Sequence, residues 1–328
     1  MHIGKSYGGL ALLRWTRRKA YLLGANALLV VGLYQAAGWR WVALPWPVLA
    51  LLGTAASFIV GFKNVQTYGR TLEAQQIWSA ITAASRYWGL IGRDLAGHAG
   101  AARELLERHL AWLTAVRYQL RAPRIWEGAA RGSNAEYRAG LFYVPEHAVP
   151  LETELVKYMP PGEAAALVAA GSVAQTLVAM QSRTIRALFD AQQLPLLHHA
   201  EMQKTLKELI DQHARAERIK NFPYPRQYAI VNTVFVWVFA LLLPYSVVRE
   251  FAQLQIHMTW LAVPFSVLVG WMYVALDQVG ESTENPFEGG ANDVPITHLC
   301  RCIEADLRAL LGEPGALPMA DEDAAIVL

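Results

Sequence analysis

Charge is scarce in this chain. Charged residues make up 17% of its 328 positions, and the formal net charge is +2. That near-neutral balance offers no basic footprint for nucleic acid, whose phosphates call for clustered lysine and arginine. Cysteine is scarcer still: Cys300 and Cys302 are the only two, spaced C-x-C on a stretch that reads as helix. Disulfide geometry is poor at that spacing, and two thiols with His298 nearby fall short of a zinc site. The sequence also lacks a glycine-rich phosphate loop, an H-E-x-x-H pair, a nucleophile elbow and a C-x-x-C motif. Adjacent His198 and His199 point to different helix faces, and Glu217 with Arg218 reads as a cap or ion pair. These absences argue against an enzyme, a metal centre or a bound cofactor.

Long apolar runs are what the chain has instead. Gln227 to Val248 and Met258 to Leu276 carry no charge until Arg249 and Asp277 at their ends. A helix needs roughly 20 mostly apolar residues to cross the hydrocarbon core, and its backbone must be bonded within the segment. Two further spans are expected at Tyr21 to Ala37, interrupted only by Asn26 and Gln35, and at Pro45 to Phe62. The latter holds the small residues Gly53, Thr54, Ala55, Ala56 and Ser57, which allow close helix packing. Trp39, Arg40, Trp41 and Trp46 between them have the composition of a membrane–water boundary. The basic run Arg14, Arg17, Arg18 and Lys19 precedes the first span without a clean cleavage site, so that span is read as retained. Lys63, Arg70, Lys220 and Arg226 lie on the same side as that run, which places both termini and the long interlude in the cytoplasm.

The expected organisation is therefore residues 1–69 as an N-terminal segment with spans one and two, and 70–224 as a cytosolic helical region. Spans three and four follow in 225–279, then a cytosolic helical segment in 280–312 and a flexible tail in 313–328. Glu73 to Ala84 suggests an amphipathic helix running directly out of span two. Arg103 to Leu120, Gly162 to Phe189 and Met202 to Ile219 show the same three- and four-residue spacing. Within span two, Thr54, Phe58 and Phe62 recur every four residues along one stripe. Such a stripe is ordinary packing in a lone helix; in a ring of identical subunits it would line a pore, with stacked phenylalanines as a hydrophobic constriction.

Three ordered motifs resemble the bestrophin family, bacterial branch. The first is Phe62-Lys63-Asn64-Val65-Gln66-Thr67-Tyr68-Gly69-Arg70 with Glu73-Ala74 and Ile77-Trp78. The second is Glu217-Arg218-Ile219-Lys220-Asn221-Phe222-Pro223-Tyr224-Pro225. The third is Gly280-Glu281-Ser282-Thr283-Glu284-Asn285-Pro286-Phe287 with Asn292-Asp293-Val294-Pro295. The resemblance spans about Arg14 to Leu311. It implies an all-α membrane protein with four transmembrane helices per subunit and a helical cytosolic domain, assembled as a homopentamer around one central pore. It further implies a bacterial inner-membrane location, with further copies of the chain, lipid and small monovalent ions as partners and no nucleic acid. The family's neck residues map onto Thr54, Phe58 and Phe62, where Thr54 departs from the usual large aliphatic and implies a wider, wetter upper neck. A second constriction maps onto Leu194, Leu196 or Leu197, with Leu194 preferred by counting back from Glu217.

Animal members bind calcium in an acidic cluster after Asn-Pro-Phe. Here that cluster reads Glu288-Gly289-Gly290-Ala291-Asn292-Asp293, too poor in carboxylates for an ion that takes six to eight oxygens. No high-affinity calcium site is expected, and Asp293 is expected to cap the following helix, which holds Leu299 and Ile303. The resemblance favours sodium and potassium over chloride, with an anion channel of the same fold as the alternative. Pro244 and Pro264 inside the last two spans keep a carrier open, although no ionisable residue is expected in mid-span. A poorly conducting membrane scaffold is the third reading.

Overall fold

A computed structural model describes residues 8–128, 132, 134–136, 143–313 and 326–327. Most of the expected flexible tail lies outside these residues. Among them the architecture is helical throughout. Helix α1 spans Gly9–Gln35, α2 Trp46–Leu95 and α3 Ala99–Arg121. Four helices follow: α4 (Leu151–Leu155), α5 (Pro161–Ala170), α6 (Val173–Asp190) and α7 (Leu196–Asn221). The chain then returns through α8 (Arg226–Leu254) and α9 (Ala262–Ser282), and closes with α10 (Ile296–Leu310).

Among the described residues three stretches are long and apolar enough to cross a membrane: Arg40–Leu95, Arg226–Leu254 and His257–Ser282. Helix α1 does not join them on this measure, because Arg14, Arg17, Arg18 and Lys19 occupy its first half. It nevertheless packs along α8 and α9, burying Leu23, Ala27, Val30 and Val31. Asn26, the polar residue in its apolar half, donates to the carbonyl of Leu241 at 2.9 Å, so its amide is satisfied across the helix pair. The four helices make an apolar bundle.

Helix α2 belongs to two bodies at once. Its 50 residues rise about 75 Å, more than twice the roughly 30 Å of a hydrocarbon core. The upper half buries Leu49, Gly53, Ala56 and Val60. A Cβ on Gly53 would stand 2.8 Å from the Phe239 ring, so glycine lets α8 approach here. The lower half buries Ala74, Ile77, Trp78, Ile81, Ala84 and Trp88 on the same winding face. That face enters a second core with α3, α7 and α10, whose largest members include Trp78, Trp88, Trp112, Leu105 and Leu106.

One expected continuity breaks. The periodic run Gly162 to Phe189 is two helices, α5 and α6, because Gly171 takes a left-handed conformation (φ 82°) that ends α5. Glycine enters that region at no steric cost, and the apolar spacing on either side concealed the stop.

The second core encloses a histidine. His109 on α3 is fully buried, stacked on Trp112 at 5.3 Å and tilted against Trp88 at 6.3 Å. Its ring nitrogens have no hydrogen-bond partner among the described residues, and burial drives its pKa from 6.5 down to about 3. A lowered folded-state pKa means that the unfolded chain binds one more proton between these values. The stability that neutral His109 supports is therefore complete above pH 6.5 and is lost as pH falls towards 3. His109→Phe is expected to flatten the pH dependence of thermal stability in that window. The change corresponds to as much as about 1.4 kcal/mol per pH unit, read by unfolding wild type and variant side by side.

Candidate functional site

Helix α2 presents its predicted stripe outward. Phe58 and Phe62 are 65% and 67% exposed, and Thr54 is exposed with its hydroxyl bonded back to the Ala50 carbonyl at 2.9 Å. Four-residue spacing stacks the three along α2 with a rise of about 6 Å per step. The opposite face of the helix is buried against α8 and α9. Thr54 also borders a 590 Å³ pocket whose walls include Trp46, Ser57, Phe251, Phe265 and Tyr273. The side chain of Ser57 closes part of that wall by a 2.6 Å contact with the Tyr273 hydroxyl.

From Trp46 to Gly69 the only charged residue of α2 is Lys63, directly after Phe62. A helix turns about 100° per residue, which carries Lys63 away from the stripe. It ends 3% exposed, with Nζ 2.6 Å from Oδ1 of Asp277 on α9, whose side chain is 4% exposed. Asn232 on α8 donates to the same carboxylate oxygen, and Thr233 donates to the other at 3.2 Å. A buried ion pair thus ties α2, α8 and α9 at one level. Lys63 and Asp277 lie just past the ends of the expected spans, after Phe62 and Leu276, and the fold buries them against each other. The sequence did hold a signal, two isolated opposite charges, each one residue past an apolar run, but it could not show that they meet.

Below this pair a polar seam continues. Gly280 meets Asn64 so closely that a Cβ would overlap its side-chain oxygen. Thr67 and Thr283 bond through their hydroxyls at 3.1 Å, and the Thr71 hydroxyl donates to the Thr283 carbonyl at 3.1 Å. Arg70 donates to the carbonyls of Glu284 and Ile219, both at 3.0 Å, where α9 and α7 end and leave backbone oxygens unpaired. Arg218 pairs with Glu73, and Arg226 holds Glu284 at 2.8 Å. Burial pushes the Glu284 carboxyl up, an effect opposed chiefly by Arg226 and Lys63. Residues of all three sequence motifs converge on this seam.

The loop between α9 and α10 is held differently from expectation. Asp293 does not cap α10, whose preceding residue is Pro295 with no side-chain cap. Its carboxylate instead accepts the amides of Gly289 at 2.8 Å and Gly290 at 2.9 Å, and faces Nη1 of buried Arg121 at 3.8 Å. The loop folds back on itself, and its carboxylate is turned inward against a guanidinium. Burial raises the Asp293 pKa and lowers that of Arg121, each opposed by the other's charge. No group of three or more histidine, cysteine, aspartate or glutamate side chains among the described residues is placed to hold a metal ion. Cys300 and Cys302 are free, and burial pushes the Cys300 thiol up to about 12.

The lower leucines are separated by the fold. Leu194 is 2% exposed inside the second core, so the preference for it as a constriction is corrected. Leu196 and Leu197, at the start of α7, are 66% and 81% exposed. His199 packs on Phe189 at 4.8 Å.

The sequence profile of the bacterial and fungal bestrophins matches residues 13–309. The chain belongs to that family. Among its bestrophin relatives, the voltage-dependent anion channel-forming protein YneE of Salmonella typhi is 23% identical over 288 residues, covering 88% of this chain and 83% of that protein. The voltage-dependent anion channel-forming protein mll4386 of Mesorhizobium japonicum is 24% identical over 272 residues, covering 82% and 76%. A crystal structure of a bacterial bestrophin homologue from Klebsiella pneumoniae superposes with a TM-score of 0.76 at 21% identity, covering 90% of this chain and 98% of that one. The fold is the bestrophin fold, and the chain is a membrane protein. Its relatives are named as channels, and this bestrophin is not an enzyme.

The central pair is open to a direct check. Asp277→Leu or Lys63→Met leaves the other charge buried alone and is expected to cost about 3–5 kcal/mol. The double variant Lys63→Met/Asp277→Leu is expected to regain most of that loss in thermal unfolding of the detergent-solubilised protein. Additive losses in the double variant would show that the two side chains do not act as a pair.

Proposed function

We propose that this bestrophin is a passive channel for small monovalent ions, with α2 of several copies lining the neck. The carrying observation is the outward stripe of Thr54, Phe58 and Phe62 on a helix whose only nearby charge, Lys63, is neutralised internally by Asp277. Copies arranged with this stripe on a common axis, five in our reading, would give two aromatic rings below a threonine ring. Large apolar rings exclude water from a narrow passage and gate by dewetting, while the threonine hydroxyls leave the upper level wetter. Leu196 and Leu197, exposed at the start of α7, are the residues available for a lower constriction.

In this reading the apolar bundle lies in a bacterial inner membrane with both termini in the cytoplasm. The lower body, containing α3 to α7 and α10, is then the cytosolic domain. Arg121 facing Asp293 supports a loop that needs no calcium, since a guanidinium already supplies the compensating charge.

Two readings of ion sign stand on different observations. The motif resemblance favours sodium and potassium, whereas the named relatives YneE and mll4386 are anion channel-forming proteins. Phenylalanine offers a positive edge or a negative face according to its rotamer, so the neck itself is neutral on the point.

Reconstituted in a planar bilayer under a sodium chloride gradient, the protein is expected to pass current with a defined reversal potential. A value at the sodium limit gives the cation channel, and a value at the chloride limit gives the anion channel. Absence of current at every voltage would overturn both. Phe58→Ala with Phe62→Ala is expected to raise unitary conductance or open probability at least several-fold. Unchanged currents would return the two rings to packing against lipid or a neighbouring helix.

A further inference from the structure

The 590 Å³ pocket beside Thr54 lies at the end of the apolar bundle remote from the second core. Trp46 opens α2 there, and Glu250 sits about one turn before the end of α8. The volume is that of a small-molecule site. Five aromatic side chains line it: Trp46, Phe239, Phe251, Phe265 and Tyr273. Four of them are already paired, Phe239 with Tyr273 at 4.6 Å and Phe251 with Phe265 at 5.3 Å. Trp46 and Phe265 stay 47% and 51% exposed, so the aromatic wall is open to an occupant.

That wall carries a single charge. Val247, Glu250 and Phe251 share one face of α8 by their three- and four-residue spacing, and Glu250 is the only charged residue lining the pocket. Its carboxylate is exposed and makes no hydrogen bond or ion pair among the described residues. The hydroxyls nearby are engaged within the protein. Thr54 donates to the Ala50 carbonyl and Ser57 to the Gly53 carbonyl, both at 2.9 Å, and the Tyr273 hydroxyl lies 2.6 Å from the Ser57 oxygen. The pocket therefore offers aromatic faces and one negative charge, and no cationic side chain to meet an anion. A hard inorganic cation would find one carboxylate where it needs several oxygens. A neutral acyl chain would leave that carboxylate unmatched. An organic cation matches both features.

We propose that this pocket binds an organic ammonium ion bearing hydrocarbon groups, with its positive centre between Phe251 and Glu250 and its hydrocarbon against the other aromatic walls. An aromatic face attracts a cation through the ring quadrupole, more strongly where water is excluded. Glu250 adds the opposite charge from an exposed position, so the site avoids the desolvation cost of a buried carboxylate. The occupant rests on the flank of α2 that holds Gly53, Thr54 and Ser57, beside the stripe of Phe58 and Phe62. Binding at this place requires only the packing of α2, α8 and α9, and it stands apart from whether the chain conducts.

The full chain in phosphatidylcholine nanodiscs is dialysed to equilibrium against tetrapentylammonium, and the bound ion is counted by mass spectrometry after subtraction of empty discs. Saturable binding is expected, at least about tenfold tighter than that of tetramethylammonium, because the longer groups bury hydrocarbon against the walls. Glu250→Gln is expected to weaken it about three- to fivefold, the scale of an exposed ion pair. Phe251→Ala is expected to weaken it about fivefold through the lost ring face. Neutral N,N-dipentylhexanamide is expected to bind more weakly and to be indifferent to Glu250→Gln. Glu208→Gln, an exposed change on α7, is expected to leave every affinity unchanged. No saturable binding above the empty discs would overturn the proposal, as when a second copy covers the pocket. Tetrapentylammonium binding that ignores Glu250→Gln would overturn it as well. If such binding instead falls with Phe58→Ala, the ion sits on the stripe and not in the pocket.

Discussion

The arrangement depends on one buried ion pair. Moving an ammonium or a carboxylate out of water costs several kcal/mol per ion even after relaxation, and only close, well-bonded partners offset it. Lys63 and Asp277 meet that condition, with Asn232 and Thr233 filling the remaining capacity of the carboxylate. The pair therefore forces three helices to one level. Because Lys63 follows Phe62 directly, the same contact fixes the rotation of α2 and hence which of its faces is left outward. An apolar helix without such an anchor could rotate about its axis at little cost, since lipid tails and leucine side chains are equally apolar.

Much of the fold was legible because its signals are long and redundant. Apolar runs of about twenty residues marked α2, α8 and α9, and the amphipathic exit of α2 followed from the unbroken spacing after Lys63. The stripe of Thr54, Phe58 and Phe62 was also legible, since four-residue spacing fixes a face whatever the helix packs against. What escaped was pairing across the sequence. Lys63 and Asp277 are separated by 214 positions, and periodicity carries no information on which isolated charge will meet which. The same blindness misplaced Leu194, whose burial depends on how the link between α6 and α7 folds back. It hid the break at Gly171 as well, where a single left-handed residue interrupts a pattern that reads as continuous.

Asp293 shows a different kind of failure. Its position two residues before Pro295 fits a helix-capping reading, and local sequence gives no reason to prefer another. The decisive partner is Arg121, on a helix far away in the chain, and the two glycines that let the loop curl around the carboxylate. Fully buried groups of opposite charge at 3.8 Å leave the loop little freedom, because separating them would strand each in a medium that solvates neither.

The continuity of α2 has a mechanical consequence. A single uninterrupted helix, pinned about a third of the way along at Lys63 and embedded at Trp88 in the lower core, is a lever with its fulcrum at the ion pair. About 37 Å of helix separate those two points, so a tilt of roughly 5° displaces the Trp88 end by about 3 Å. The upper arm from Lys63 to Thr54 is about 13 Å long and moves by about 1 Å in the opposite sense. Anything that repacks the lower body is thus geared down threefold at Thr54, trading amplitude for force along the outward stripe.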